Sequence, residues 1–457
     1  MTVTRSRAAA SELASFCADL RWDRLPAGAR ERTKELVLDL VGVAMRGSAA
    51  GSSRAVQEFV ATQPGGSATV IGTGRRSGAP WAALANGTGA HATELDDVTR
   101  ESSLHPGVAV IPAALAVAQE RSAAPIAFLE AVVAGYEVTM RVGNALGPAS
   151  AYARGFHPTG VAGVFGAAVA AGRLAGLDAE GLTRCIGIAG TMASGSIEYV
   201  ADGSWTKRLN AGWAAHAGIV AAGLAASGFT GPATALDGRS GVLTGYTDAP
   251  LPELLTQDLG RPLQVMKVTI KPYACCRYTH PLIDAILALR REHRIEPDDV
   301  ERVRLGVLSG GALLIADPIE RKREPENIVD AQFSAPFGAA VALVFGKAGL
   351  AEHSEDALAD PRVRALMPRT DCVRDTALDA SYPGKWEGWA ELALRDGRTV
   401  RQHVEFALGE PENPVSREAL VERFVELAAG RLDVAAAHAL AASLLRLDEA
   451  GELPGLG

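Results

Sequence analysis

Apolar positions in residues 1–250 recur at three- and four-residue spacing. Val37, Leu40, Val41 and Ala44 carry this period through Pro26–Met45, and Ala55–Thr62 continues it. The segment SATVIGTGRRSG, residues 67–78, instead alternates between turn signals and reads as a hairpin. Helical periodicity then returns over Trp81–Leu95, Val108–Glu120, Pro125–Leu146, Gly160–Leu174, Ala179–Ala193 and Asn210–Ser227. The connections are short and rich in Gly, Pro and His, which predicts an antiparallel helical bundle.

Near residue 262 the pattern changes. LQVMKVTIKPY, VERVRLGVLS, TDCVRDTALDASY, AELALRDG and TVRQHVEFAL are β-branched and alternating, with RDGRTV as a turn between two such runs. Helices are expected between them at Pro281–His293 and Ala331–Phe345, and again after PENPVS at Arg417–Ala429 and Val434–Leu447. The fold expected is mainly α: a large all-helical domain, 1–261 plus 409–457, carrying a smaller inserted α+β lid domain, 262–408, with mostly antiparallel strands.

Composition narrows the function. The chain has 457 residues, 48% hydrophobic and 21% charged, as a folded globular protein does, and its net charge of −8 argues against nucleic acid as a partner. Aromatic residues are only 5% and glycines number 49, so the helices are expected to pack closely through small side chains. Five cysteines without CxxC spacing suggest a reducing, cytoplasmic setting rather than a disulfide framework. The opening MTVTRSRAAASELASFCADL reads as the lead-in to an amphipathic helix. Val108–Ala118 and Val161–Ala171 are the most apolar runs, and both fall short of the roughly 20 residues a bilayer requires, so no membrane insertion is expected. Neither GxGxxG, GxxxxGK[ST] nor GxSxG occurs in its proper context, and no organic cofactor is implied. His91, Asp96, Asp97 and His105 could be imagined around a metal, but their spacing matches no HExxH or Cys/His pattern, so none is expected.

Four segments concentrate polar groups in apolar surroundings. In the first, a helix is expected to end in Glu94, Asp96 and Asp97, and His105 follows with Pro106 behind it. The proline biases His105 towards an extended backbone at a helix entrance. The second, Gly155-Phe-His157-Pro-Thr-Gly160, repeats the His-Pro entrance before an Ala/Gly-rich helix. The third holds Lys207 and Arg208 ahead of another small-residue helix, a pair that elsewhere would be solvated surface. The fourth, Lys271-Pro-Tyr-Ala-Cys275-Cys276-Arg277-Tyr-Thr-His280, lies at the expected domain boundary, and Cys275 there reads equally well as an ordinary buried residue. His105 and His157 are proton carriers near neutral pH, and Lys207, Lys271 and Arg277 are anion anchors. That set suits proton abstraction next to a carboxylate, where cations stabilise the charge that builds in the transition state.

At these segments the chain resembles the MmgE/PrpD family, which includes 2-methylcitrate dehydratase, cis-aconitate decarboxylase and iminodisuccinate epimerase. The resemblance runs over about residues 85–345 through ANGTGAHATELDDVTRESSLHPGVAVIPAALAVA, GFHPTGVAGVFGAA, KRLNAGWAAHAGIVAAGLAASGFTGP, IKPYACCRYTHPLIDA and DAQFSAPFGAAVAL. It implies a helical domain with an α+β lid, a homodimer, and cofactor-free chemistry on a small carboxylic acid in the interdomain cleft. His105 falls on the family's HPG/HPS histidine, His157 on its GFHP histidine, Lys207 on the lysine of its K-x-L-x-x-G-x-A-A block, Lys271 on its strand-end lysine and Asp97 in its D-D pair. Glu94-Leu-Asp-Asp-Val98 stands where decarboxylase-like members have D-F-D-D-T; Cys276 replaces a histidine there, and His280 keeps the later one. The resulting expectation is a hydro-lyase with His157 as α-proton base, His105 as acid and Asp97 orienting an imidazole, the two histidine roles being exchangeable. Lys207, Lys271 and Arg277 would clamp carboxylates, with Glu94, Asp96, Cys276 and His280 completing the pocket. Epimerisation, decarboxylation of an unsaturated tricarboxylate and carboxylate binding without turnover are the alternatives.

Overall fold

Glycines set how closely the long helices approach one another. A Cβ placed at Gly166 would run into the Thr139 hydroxyl and the Gly135 carbonyl, and one at Gly212 into the Leu84 carbonyl and Thr88. Backbone therefore lies against backbone, and dispersion contacts accumulate over a long seam although each is small. The computed structural model describes residues 8–456. It divides into two compact units, Met1–Val268 with Ser416–Gly457, and Thr269–Val415.

The first unit is built from α1 (Ala9–Asp19), α2 (Ala27–Gly47), α3 (Gly51–Val60), α4 (Ala79–Ala90), α5 (Gly107–Glu120), α6 (Pro125–Ala145), α7 (Pro148–Ala153), α8 (Pro158–Leu174), α9 (Ala179–Ala189) and α10 (Thr206–Ala226). Helix α8 packs between α6 and α10, α10 also packs on α4, and α5 closes the group against α4 and α8. The hairpin is present as Ala68–Val70 paired antiparallel with Arg75–Ser77. Asn86 of α4 secures it, donating to the Thr69 carbonyl at 2.8 Å and accepting from the Ile71 N–H at 2.9 Å. Helices Arg417–Ala428 and Val434–Leu444 belong to the same unit, and the first packs along α2. There Arg423 donates to Asp39 at 2.9 Å and to the Leu95 carbonyl at 3.1 Å.

One expectation needs correction in this unit. The helix expected over Trp81–Leu95 stops at Ala90 and gives way to a 3₁₀ turn, His91–Thr93, followed by Glu94 in the left-handed region at φ 56°. Glycines at 87 and 89 weaken the last turn and let the chain leave the axis. Helix α10 has 21 residues and contains an 18-residue stretch of mean hydropathy 1.2, long and apolar enough to cross a membrane by length and composition alone. Buried positions make up 61% of that 18-residue stretch because α10 packs on α4 and α8, although Leu209 and Trp213 on its outer face are exposed.

The second unit holds a four-stranded sheet in the order Thr370–Arg374, Val300–Val307, Gly388–Leu394, Thr399–Val404. The last two form the hairpin turned at RDGRTV, with Gly397 at φ 87°. Val300–Val307 pairs antiparallel with Gly388–Leu394 and parallel with Thr370–Arg374. Helices His280–His293 and Ala335–Phe345 supply Ile283, Ile286, Phe337 and Val341 to a core shared with Val303, Leu305 and Leu392. Two alternating runs and one helix depart from the pattern. LQVMKVTIKPY is extended only at Val268–Thr269, after a 3₁₀ turn. TDCVRDTALDASY bends into a helical turn at Thr376. The helix expected over Ala331–Phe345 is broken at Ser334, whose hydroxyl caps the new start by accepting from the Phe337 N–H at 3.1 Å.

The close α6–α8 seam makes a direct prediction. Gly166→Leu is expected to destabilise the protein by about 1–3 kcal/mol through overpacking, read as a lower midpoint in urea with the slope unchanged. An unaltered midpoint would show that the helices can separate without loss.

Candidate active site

Four helix ends bring the polar residues of the first unit together. His91 follows the C-terminus of α4, His105 and Pro106 precede α5, His157 is the N-cap of α8, and Lys207 and Asn210 occupy the first turns of α10. Proline at the first position of α8 fits because that N–H has no helical partner. The His91 ring lies 4.8 Å from His105, edge to face, and 5.8 Å from His157, nearly parallel at 19°. Tyr199 meets the His157 ring edge to face at 5.9 Å. The starts of α5, α8 and α10 carry positive dipole ends, so the cluster is suited to an anionic ligand.

The carboxylates divide the work differently from the sequence expectation. Asp97 does not present its carboxylate to an imidazole. Its two oxygens accept from the Tyr136 hydroxyl at 2.7 Å and from the Gly107 N–H, at the start of α5, at 3.0 Å. The backbone carbonyl of Asp97 is the part that reaches His105, 2.8 Å from Nδ1. Asp96, fully buried, serves the histidines: its Oδ2 lies 2.8 Å from His91 Nδ1 and 2.9 Å from His105 Nδ1. Consecutive residues of an irregular segment point to opposite sides, so one braces a helix start and the other braces two rings. Lys207 forms an ion pair with Glu94, the residue in the left-handed conformation.

Burial dominates the electrostatics. It pushes the His157 pKa well below the ordinary 6.5, aided by the nearby His91, Lys207 and His105 charges, so this ring is neutral at pH 7. Burial also raises Asp97 to about 7, against the opposing hydrogen bond from Tyr136. Among the described residues, His91, Asp96 and His105 have ligand atoms within 4.8 Å of one another, a spacing a divalent cation could use. Both Nδ1 atoms are at hydrogen-bond distance from Asp96, and that of His105 also faces a carbonyl, which can only accept. The three side chains therefore form a hydrogen-bonded set.

The remaining expected residues lie in the second unit. Lys271 and His280 are fully buried, and the positive charges of Arg277 and Lys271, after burial itself, hold His280 well below its ordinary pKa. Arg277 is paired with Glu410 and lies over the Trp386 ring at 5.8 Å. Cys276 is buried, its N–H donating to the Gln332 carbonyl at 2.8 Å, and Cys275 is a buried residue as its alternative reading held. Sequence reasoning missed Tyr136, Tyr199 and Asn210 and considered His91 only as a metal ligand. Tyr136 sits mid-helix without any local motif, whereas Asn210 belongs to the same KRLNAG block as Lys207.

Residues 11–254 match the MmgE/PrpD N-terminal domain and residues 273–449 the MmgE/PrpD C-terminal domain. The chain belongs to the MmgE/PrpD family. It is 30% identical to the cis-aconitate decarboxylase-like protein oryM of Aspergillus oryzae, over 100% of this chain and 98% of that protein. Similarity to the cis-aconitate decarboxylase of Aspergillus terreus is 28% over 98% of this chain and 94% of the relative, and to that of Mus musculus 26% over 89% and 83%.

The buried, neutral His157 has a consequence for stability. Its folded pKa lies below the unfolded one, so between the two the unfolded chain binds the extra proton and stability is lost as pH falls below about 6.5. In His157→Gln the decline in unfolding free energy from about pH 6.5 to about pH 5.5 is expected to shrink, by at most about 1.4 kcal/mol per pH unit. Urea titrations across that range check it, and identical declines in variant and parent count against a neutral imidazole.

Proposed function

We propose that this protein is a cofactor-independent lyase acting on a small polycarboxylic acid by proton transfer at a carbon next to a carboxylate. The observation that carries the reading is the meeting of two helix-entry histidines, a buried aspartate and Lys207 where three helices start. A carboxylate placed there meets positive helix ends and an ammonium group, which favour the charge that grows on it during reaction. His105 is the proton carrier: the Asp96 carboxylate beside Nδ1 stabilises its imidazolium form, leaving Nε2 to give and take the proton. The protein works as a homodimer.

The finer reading is decarboxylation of an unsaturated tricarboxylic acid of the cis-aconitate type, supported by the names of the relatives. The bond to a carboxylate allylic to the double bond breaks, and its electron pair moves through the double bond. The carbon beside a second carboxylate then takes one proton. Dehydration of a hydroxylated acid, favoured by the residues alone, uses the same groups with water as the leaving group.

Incubation with cis-aconitate and with hydroxylated tricarboxylates in D₂O separates the outcomes by NMR. Release of CO₂ with one deuterium added supports decarboxylation. Alkene formation from a hydroxy acid supports dehydration, and exchange without net change supports epimerisation; tight binding with no turnover of any acid refutes the lyase. His105→Gln is expected to lower turnover by roughly 10²–10⁴-fold while the unfolding midpoint stays close to that of the parent. Near-normal turnover in this variant removes His105 from the mechanism.

A further inference from the structure

The two histidines are held in opposite protonation patterns by neighbours that leave little choice. Asn210 Nδ2 lies 3.1 Å from the Ser196 carbonyl, which can only accept, so this end of the amide is the NH₂. The same Nδ2 is 3.4 Å from His157 Nδ1, and its second N–H points the ring to an acceptor role at that atom. Neutral imidazole carries one N–H, so an accepting Nδ1 puts the proton on Nε2. The partners are fixed by backbone: the His157 N–H donates to the Gly195 carbonyl at 2.9 Å, the Ile197 N–H donates to the Gly155 carbonyl at 3.0 Å, and Phe156 and Ser196 form an antiparallel bridge. His105 shows the reverse. Its Nδ1 faces the Asp97 carbonyl and the Asp96 carboxylate, both acceptors, so Nδ1 carries the proton and Nε2 the lone pair.

We infer that Asn210 is a positioning residue that holds His157 as a neutral Nε2–H donor, making His157 a hydrogen-bond electrophile and leaving proton transfer to His105. This rests on the proposed lyase chemistry and replaces the base role expected of His157 from the sequence with that of a hydrogen-bond donor. A neutral imidazole is a poor acid, because losing Nε2–H would create an imidazolate; it is a good donor to an oxygen on which negative charge is building. In the decarboxylation, the electron pair released by departing CO₂ reaches the carbon beside the second carboxylate, and the charge is shared with that carboxylate's oxygens. His157 Nε2–H donates a hydrogen bond to one of them and keeps its proton. The carbon takes its proton from the His105 imidazolium, which becomes neutral and is recharged from water. One proton enters, one CO₂ leaves, and His157 is unchanged. The buried setting that keeps His157 uncharged belongs to the same arrangement.

Long-range ¹⁵N–¹H NMR of the full-length protein with ¹⁵N-labelled histidine reads the tautomers without any substrate. The expected result is a His157 pattern of the neutral Nε2–H form, constant from about pH 6 to about pH 8. In Asn210→Asp, which sets an accepting carboxylate beside Nδ1, the pattern moves to an Nδ1–H or imidazolium form. kcat is expected to fall about a hundredfold with KM little changed, as for loss of one charge-stabilising donor. Should Asn210→Asp fail to fold, Asn210→Ala serves, with loss of a single defined tautomer as the expected result. A parent His157 that is Nδ1–H or cationic in this range overturns the inference, as does the same spectrum in parent and variant. The expected tautomers without turnover of any acid would instead refute the lyase reading and leave the Asn210 assignment standing.

Discussion

Everything in the first unit depends on backbone approaching backbone where α4, α6, α8 and α10 meet. Helices usually keep 8–10 Å between axes because their side chains interdigitate; at Gly135–Gly166 and at Gly212 there is no Cβ to hold them apart. The helices thus converge at their ends as well as along their lengths, and the ends are where His91, His105, His157, Lys207 and Asn210 are attached. A site made of helix termini inherits both its rigidity and its positive potential from the packing beneath it.

The cluster handles its buried charge by sharing. One carboxylate, Asp96, serves two imidazoles, and its neighbour Asp97 braces the start of α5 through Gly107 and ties it to α6 through Tyr136. A buried carboxylate is stable only with such partners, because desolvation alone would neutralise it. The segment supplying both is irregular, beginning with Glu94 in the left-handed region, and a non-glycine residue is held there only where its surroundings require it. Leaving the helix at Ala90 turns successive side chains towards different partners, something a continued helix would not do.

Much of the architecture was legible beforehand. The hairpin at residues 67–78 follows from its turn residues and alternation, and the RDGRTV turn from the same local chemistry. The long helices follow from their apolar period, and the two His-Pro helix entrances from the restriction proline places on the preceding residue. The errors fall where non-local partners overrule local preference. Residues 91–95 look helical by composition yet leave the axis, and a run read as strand bends into a helical turn at Thr376. Helix Ala331–Phe345 breaks where the Ser334 hydroxyl offers a better start.

The residues alone determined the family, the mainly helical fold and the inventory of imidazoles, carboxylates and ammonium groups, since these depend on composition, spacing and short-range backbone preference. Only the tertiary structure decided which carboxylate serves the histidines, that Arg277 answers Glu410, and that Asn210 stands beside His157. Those choices are made by side chains distant in sequence meeting at helix ends, and no local rule encodes the direction in which a hydrogen bond between such groups will run.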